Sequence, residues 1–167
     1  MIFVTLGSQK FPMNRLLEEV DRLLADGFIH DEVIGQVGYS DYPASFPCKP
    51  FMENEEFKQY LYDADLVITH AGTATIIKAA KEKKRIIVVP RLAKYGEHVD
   101  DHQMQIANMF EEAGLLVKCE DTGNLKEAIE KAMQMTPPGY QSNTDRFLQT
   151  LDDAIKELTT SKRKQVH

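Results

Sequence analysis

Short apolar segments alternate with longer amphipathic segments along almost the whole chain. The apolar segments predict strands at 2–6, 32–37, 48–52, 65–69, 85–89 and 115–118. The segments between them carry apolar residues at helical spacing and predict helices at 13–25, 54–62, 73–83, 101–113, 125–135 and 144–158. Because parallel neighbouring strands need crossover connections, this order predicts an α/β fold, a doubly wound parallel sheet with helices on both faces.

Length and composition fit one domain of this kind. The 167 residues are 43% apolar, so we expect a single domain over 1–160 and a flexible tail over 161–167. No apolar run approaches the roughly 20 residues that cross a bilayer, and no leader-like segment precedes the first strand, which predicts a cytoplasmic protein. A net charge of −6 argues against nucleic acid as the main ligand. Cys48 and Cys119 lie far apart and are expected to be reduced packing residues.

The turn between the fourth predicted strand and the next helix consists of small and polar residues. It reads Thr69-His70-Ala71-Gly72-Thr73-Ala74-Thr75. Small residues let the backbone approach an anion, and the free N–H groups of a helix start carry partial positive charge. In a doubly wound sheet, ligands bind beyond the carboxyl ends of the strands. This turn, the loop 7–9 and the loop 91–103 are all predicted at that edge, so we expect a phosphate-type ligand there.

Familiar nucleotide motifs are missing. The loop after the first strand has one glycine, Gly7, where a dinucleotide fingerprint needs G-x-G-x-x-G. The chain contains no P-loop sequence and no G-x-S-x-G elbow. NAD binding, ordinary ATP or GTP hydrolysis and α/β-hydrolase chemistry are therefore not expected.

A second polar stretch, Glu97-His98-Val99-Asp100-Asp101-His102-Gln103, is compatible with three interpretations. His98 and His102, with Asp101 beside them, would form part of a metal site if one helix carried both imidazoles. The same residues would cap and solvate a helix start. In the third interpretation, the carboxylate of Glu97 accepts hydrogen bonds from the vicinal hydroxyls of a ribose, next to the phosphate loop.

Several short patterns together resemble one family. They are Val4-Thr5-Leu6-Gly7, the T-H-A-G-T-x-T turn at 69–75, Val89-Pro90-Arg91, and E-H-x-D-x-H-Q at 97–103 with Ala107 four residues later. Over residues 1 to about 158 the chain resembles the donor-binding subunit of bipartite glycosyltransferases. This group includes the dolichol-linked N-acetylglucosaminyltransferase small subunit and bacterial capsule or exopolysaccharide subunits. It is similar, more distantly, to the C-terminal half of the peptidoglycan lipid I N-acetylglucosaminyltransferase.

The resemblance implies the Rossmann-like C-terminal half of a GT-B glycosyltransferase and a UDP-sugar as donor substrate, with no cofactor and no metal. The implied contacts are Gly7, Ser8, His70, Gly72, Thr73, Ala74, Thr75, Glu97, His98, His102 and Gln103. Glu97 would hold the ribose, and the helix start after Gly72 would hold the diphosphate. His98, His102 and Gln103 would line the diphosphate and sugar region. His70 would donate to the leaving phosphate in an inverting transfer of galactose, glucose or N-acetylglucosamine. No residue stands out as the general base.

One position departs from the family pattern. Ala74 stands where the family loop often has a second glycine, and alanine does not adopt positive φ at low cost. We therefore expect helical backbone at Ala74, with the phosphates contacted from slightly further away.

The length of the chain predicts a partner. Glycosyltransferases of this architecture hold donor and acceptor between two halves, and the chain has residues for one. The resemblance implies a separate, membrane-anchored subunit that binds a lipid-linked sugar acceptor and keeps this chain peripheral to the membrane. An apolar stripe on the last helix, Phe147, Leu151, Ala154, Ile155 and Leu158, would pack on the chain's own core or on the partner. The basic residues 162–164 are expected to be solvated. A non-enzymatic subunit that stabilises another glycosyltransferase is the alternative function.

Overall fold

A parallel sheet lies at the centre of the protein. The structure is a computed structural model that describes residues 1–137 and 144–164, apart from the side chains at 144, 147 and 161–164. The strands of this part are β1 (Ile2–Thr5), β2 (Val33–Gln36), β3 (Cys48–Lys49), β4 (Leu66–Thr69), β5 (Arg85–Val88) and β6 (Val117–Lys118). They pair in the order β3-β2-β1-β4-β5-β6, and every pair is parallel.

Helices cover both faces of the sheet. They are α1 (Asn14–Ala25), α2 (Asn54–Asp63), α3 (Thr73–Lys81), α4 (His102–Glu112), α5 (Leu125–Gln134) and α6 (Thr144–Lys164). Successive strand residues point to opposite faces, so Val4 packs with α1 and α5, whereas Phe3 packs with α2, α3, α4 and α6. These two apolar cores confirm the predicted doubly wound α/β fold.

The main differences from the predicted elements lie at their ends. Strand β3 stops at Lys49 rather than residue 52, because Pro50 has no N–H to donate to a ladder. Strand β6 begins at Val117, since the N–H of Leu115 still closes the end of α4 by donating to Phe110 O. The sequence did not predict short 3₁₀ turns at Ala93–Tyr95 and Thr122–Asn124. Both cysteines are free and pack in or against the core, as expected.

The last helix packs on the chain's own core. Leu148 and Ile155 are buried, and Leu151 packs against the same cluster. Leu158 is 47% exposed, and the side chain of Phe147 lies outside the described part. The helix continues to Lys164, beyond its predicted end at residue 158 and into the segment predicted as a tail; the division of the chain at residue 160 stays a prediction. Among the described residues, no helix is both long and apolar enough to span a membrane.

The register aligns the carboxyl ends of the central strands. Thr5 of β1 lies opposite Gln36 of β2 and Thr69 of β4, and Thr69 lies opposite Val88 of β5. The loops that follow β1, β4 and β5 therefore leave the sheet at one edge, next to the switch point between β1 and β4 where the connections diverge. This edge carries most of the polar residues singled out from the sequence.

Candidate functional site

The N-terminus of α3 presents unpaired backbone donors. Its N-cap is Gly72, which has no side chain that could accept a bond from these N–H groups. The first local helical bond runs from Ile76 N–H to Gly72 O at 3.1 Å. Among the described residues, the N–H groups of Thr73, Ala74 and Thr75 have no acceptor. Because these residues are half-buried or exposed, their N–H groups form an anion-binding helix start. Ala74 is helical, as predicted.

The His70 imidazole lies in a tight space between two glycines. A Cβ at Gly7 would lie 2.5 Å from His70 Nε2, and a Cβ at Gly72 would lie 2.5 Å from Cε1 and 2.7 Å from Nε2. Gly7 also adopts a left-handed φ of 69°, which an L side chain rarely takes. Both glycines are therefore needed for the ring to reach the α3 N-terminus. Burial first, and then the Arg91 guanidinium, lower the pKa of His70 to about 4, so the ring is neutral at pH 7.

Gln103 supports the His70 ring from below the surface. Its Oε1 accepts the N–H of Ala71 at 3.2 Å and the N–H of Arg91 at 3.0 Å. Its Nε2 lies 3.2 Å from His70 Nδ1. The residue is 2% exposed, and both polar atoms of its amide are bonded inside the protein. The predicted contact of Gln103 with the diphosphate and sugar region stays a prediction; in this structure the residue holds other site residues.

Arg91 is a buried arginine, part of the Val89-Pro90-Arg91 pattern but not among the predicted ligand contacts. Its Nη2 donates to Leu6 O at 2.7 Å, and its Nη1 donates to Phe11 O at 2.7 Å and to Glu97 O at 3.3 Å. Its Nε is buried without a partner among the described residues. These bonds connect the loop after β1 to the loop after β5. A fixed positive charge therefore lies behind the edge of the sheet.

Glu97 is buried and held by a second arginine. Arg15 Nε donates to Oε1 at 2.6 Å, and Arg15 Nη2 donates to Oε2 at 3.1 Å. Oε2 also accepts the N–H of Leu92 at 3.1 Å. A carboxylate has about four acceptor positions, so Oε1 keeps one that these bonds do not use. Arg15 lies on α1 and was missed, because a cation on the polar face of a helix gives no sequence signal of its own.

His98, Asp100 and His102 form a polar cluster at the rim. Asp100 Oδ1 lies 3.2 Å from His98 Nδ1 and 3.1 Å from His102 Nδ1, and it accepts the N–H of His102 at 3.0 Å. Burial raises the pKa of Asp100, but the hydrogen bonds from His102, together with the charges of His102 and His98, outweigh it and lower that pKa overall. The three ligand atoms lie within 4.8 Å of one another, so the cluster is geometrically able to hold a metal ion. The expectation that no metal binds stays a prediction.

Of the other two interpretations, the helix-start cap is partly realised, whereas the ribose contact of Glu97 stays a prediction. Asp101, paired with the histidines in the sequence, instead turns away and accepts the N–H of Ala93 at 2.7 Å. His98 precedes α4, so the two imidazoles do not share one helix face. Asp100 caps the start of α4 through the N–H of His102. Ser8 is exposed beside Gly7 at the same edge.

A surface cleft adjoins the Arg15–Glu97 pair. It has a volume of about 490 Å³ and is lined by residues of β6, α5 and the turn before Glu97, including Tyr95, Lys118 and Glu120. Arg15 lies 4.6 Å from the Tyr95 ring centre and donates to Glu120 O at 3.2 Å. Three features therefore follow one another across the sheet. The open start of α3 lies after β4, the Glu97 carboxylate after β5, and the cleft beside β6.

Comparison with known proteins identifies the family to which this site belongs. The model for the glycosyltransferase family 28 C-terminal domain matches residues 1–158. The chain belongs to this family. The resemblance seen in the sequence is thereby confirmed, and so is the assignment of the fold to the C-terminal half of a GT-B glycosyltransferase.

Relatives of this family 28 domain agree with the assignment. The UDP-N-acetylglucosamine transferase subunit ALG13 of Eremothecium gossypii is 34% identical over 91 residues, covering 52% of this chain and 43% of that protein. The UDP-N-acetylglucosamine–N-acetylmuramyl-(pentapeptide) pyrophosphoryl-undecaprenol N-acetylglucosamine transferase of Geobacillus kaustophilus is 26% identical over 90% of this chain and 40% of that protein. The chain thus spans less than half the length of these relatives.

A solved structure agrees on the fold. The solution NMR structure of ALG13 superposes with a TM-score of 0.61 at 21% identity, covering 93% of this chain and 96% of that chain. At this level of identity the likeness concerns the fold alone.

Proposed function

We propose that this family 28 domain is the UDP-sugar-binding part of a glycosyltransferase. The observation that carries the proposal is the open start of α3, with its unpaired N–H groups beside the neutral His70 ring. Backbone N–H groups and a neutral imidazole donor suit a diphosphate, which presents several acceptor oxygens. We assign the diphosphate to this helix start, with the hydroxyls of Thr73 and Thr75 as further donors.

The order of the loops suggests where the ribose and the base would bind. We assign the ribose hydroxyls to Glu97, whose Oε1 keeps an acceptor position beside the Arg15 bond. We assign the uracil to the adjoining cleft of about 490 Å³, which has room for a planar base. His98 and His102 then face the diphosphate and sugar from the rim. Among the hexoses, N-acetylglucosamine is favoured, because both relatives are N-acetylglucosamine transferases by name.

The reaction that fits this arrangement is an inverting transfer. The acceptor hydroxyl attacks the anomeric carbon, a new glycosidic bond forms, and the bond from that carbon to the diphosphate oxygen breaks. Negative charge grows on UDP as it leaves, so donors aimed at the phosphates stabilise the transition state more than the ground state. One such donor contributes roughly 3 kcal/mol in comparable oxyanion sites. We expect the base that takes the acceptor's proton to belong to the subunit that binds the acceptor.

A partner completes the enzyme in this proposal. The family is named for the C-terminal domain of a larger enzyme, and one relative is named a transferase subunit. We infer a separate, membrane-anchored subunit that presents a lipid-linked sugar acceptor, as the sequence resemblance implies. This chain would then reach the membrane through its partner.

Calorimetry with UDP tests the binding site directly. Wild-type protein should bind UDP at micromolar to millimolar concentrations, and Glu97→Gln and His70→Asn should each weaken binding about tenfold or more, since each loses hydrogen bonds to the ligand. The exposed residues Glu112 and His30 offer matched controls, Glu112→Gln and His30→Asn, which should bind like wild type. No binding of UDP to the wild-type chain would refute the proposal and favour the non-enzymatic, stabilising role.

Transfer is then measured with the partner present. The chain is co-purified with the membrane-anchored partner subunit, and the complex is supplied with UDP-hexoses and a lipid-linked sugar acceptor. His70→Asn should lose most of the transfer rate, while circular dichroism and the unfolding midpoint show that the fold persists. Full transfer activity in this variant would exclude His70 from the leaving-group contact.

A further inference from the structure

The orientation of the Gln103 amide is determined by the groups around it. Two backbone N–H donors, from Ala71 and Arg91, point at one end of the amide at 3.2 and 3.0 Å. That end must be the oxygen, because an NH₂ group there would oppose two other donors. The opposite end is therefore the NH₂ group, which lies 3.2 Å from His70 Nδ1. Gln103 donates and Nδ1 accepts.

The proton of the neutral His70 ring is consequently on Nε2. A neutral imidazole has one donor nitrogen and one acceptor nitrogen, and Nδ1 is the acceptor here. Nε2 is the ring atom nearest to a Cβ built at Gly7, at 2.5 Å, and lies 2.7 Å from a Cβ built at Gly72, the residue before α3. It has no hydrogen-bond partner among the described residues. An Nε2–H group therefore lies between Gly7 and Gly72, next to the open helix start.

We propose that Gln103 is a positioning residue that fixes His70 in the Nε2–H tautomer, so that the ring donates a hydrogen bond to the leaving diphosphate. The opposite tautomer would present a lone pair to the phosphate oxygens and repel them. The proposal rests on the proposed function of His70 as a phosphate donor. It differs from the predicted role of Gln103 as a residue that lines the diphosphate and sugar region.

A second effect of Gln103 is purely structural and must be separated from the first. By accepting from Ala71 and Arg91, its oxygen connects the turn after β4 to the loop after β5. Gln103→Glu separates the two effects. A carboxylate still accepts both N–H groups, but it does not donate to Nδ1, so Nδ1 itself must carry a proton.

The direct readout is the ¹⁵N NMR spectrum of the His70 ring in the ligand-free protein at pH 7. Wild type should show a bare Nδ1 and a protonated Nε2. Gln103→Glu should show a protonated Nδ1 and a bare Nε2 once the pH is raised until its ring is neutral, because a neighbouring carboxylate favours the charged imidazole. A protonated Nδ1 in wild type, or a bare Nδ1 in Gln103→Glu, would overturn the proposal. Neither measurement requires UDP, so a failure of UDP binding in the wild type would count against the proposed function alone.

Calorimetry with UDP then connects the tautomer to the site. Gln105 is exposed on the same helix, so Gln105→Glu adds the same charge without touching His70. Gln103→Met, of similar size and uncharged, removes the donor without adding any charge. Both Gln103 variants should bind UDP roughly 10- to 100-fold more weakly than wild type, the loss expected for a hydrogen bond to a charged group. Gln105→Glu should bind like wild type. Unchanged UDP affinity in Gln103→Glu, with its tautomer altered, would show that the tautomer does not serve the phosphate.

Discussion

The ion pair between Arg15 and Glu97 is the contact whose removal should harm the fold most clearly. Arg15 donates two bonds to the carboxylate and one each to the carbonyls of Pro90 and Glu120. The Glu97 side chain is 3% exposed and the Arg15 side chain 16%. In Arg15→Met the buried carboxylate would keep a single described bond, from Leu92 N–H at 3.1 Å. The variant therefore leaves an almost unpaired buried charge.

The magnitude follows from the burial. Breaking a buried ion pair by removing one partner costs about 3–5 kcal/mol, and the partial exposure of Arg15 favours the lower end. We expect a loss of about 3 kcal/mol in the free energy of unfolding, measured by urea denaturation. For a domain of this length that corresponds to a fall of about 6–12 °C in the melting temperature.

Arg22, on the same helix as Arg15, offers a matched control. Arg22 is also paired with carboxylates, those of Glu19 and Asp26, but its side chain is 52% exposed. Because solvent screens exposed pairs, Arg22→Met should hardly change the unfolding midpoint.

A double variant tests whether the unpaired charge is the cause. Adding Glu97→Gln to Arg15→Met removes that charge and keeps an acceptor for Leu92 N–H, so part of the lost stability should return. Arg15→Met should also be compared with Glu97→Gln alone. The reasoning would be refuted if Arg15→Met cost less than about 1 kcal/mol, or if the losses of the two single variants simply added in the double variant.

Three further predictions concern the space around the His70 ring, the titration of His70 and the last helix. Gly7→Ala should destabilise the protein by about 1–3 kcal/mol more than Gly114→Ala, because both glycines have positive φ but only the first Cβ would meet His70; equal losses in urea titrations would exclude the clash. The pKa of His70 is about 4 in the folded protein and about 6.5 in the unfolded chain. Between these values only the unfolded chain is protonated at His70, so the free energy of unfolding should fall as the pH drops from about 6.5 to 4. NMR should show a neutral ring at pH 5.5, and a charged ring there would contradict this. Leu148→Ala should cost about 2–5 kcal/mol, whereas Leu158→Ala, at a 47% exposed site, should cost much less; equal costs would argue against packing of α6 on the core.

Much of the fold follows from patterns that are local in the chain. The apolar runs at 2–6 and 65–69 predict buried strands, and the alternation with helices predicts a parallel, doubly wound sheet. Parallel topology then collects the carboxyl ends of the strands at one edge, which is how a turn such as 69–75 is recognised as a binding element. The helical backbone at Ala74 is equally local, since it depends on the φ range of one residue.

The partners of the polar side chains were decided by the tertiary structure. Arg15 and Glu97 are 82 residues apart, and Gln103 and His70 are 33 residues apart. No spacing rule predicts such pairs, because packing of the sheet and helices determines which side chains meet. Sequence alone identified Glu97 and Gln103 as polar residues at the binding edge. Only the folded chain shows that an arginine holds the first and that the second faces inward to a histidine. The physical reason is that backbone patterns act over a few residues, whereas a buried polar group must find its partner wherever the fold brings one within about 3 Å.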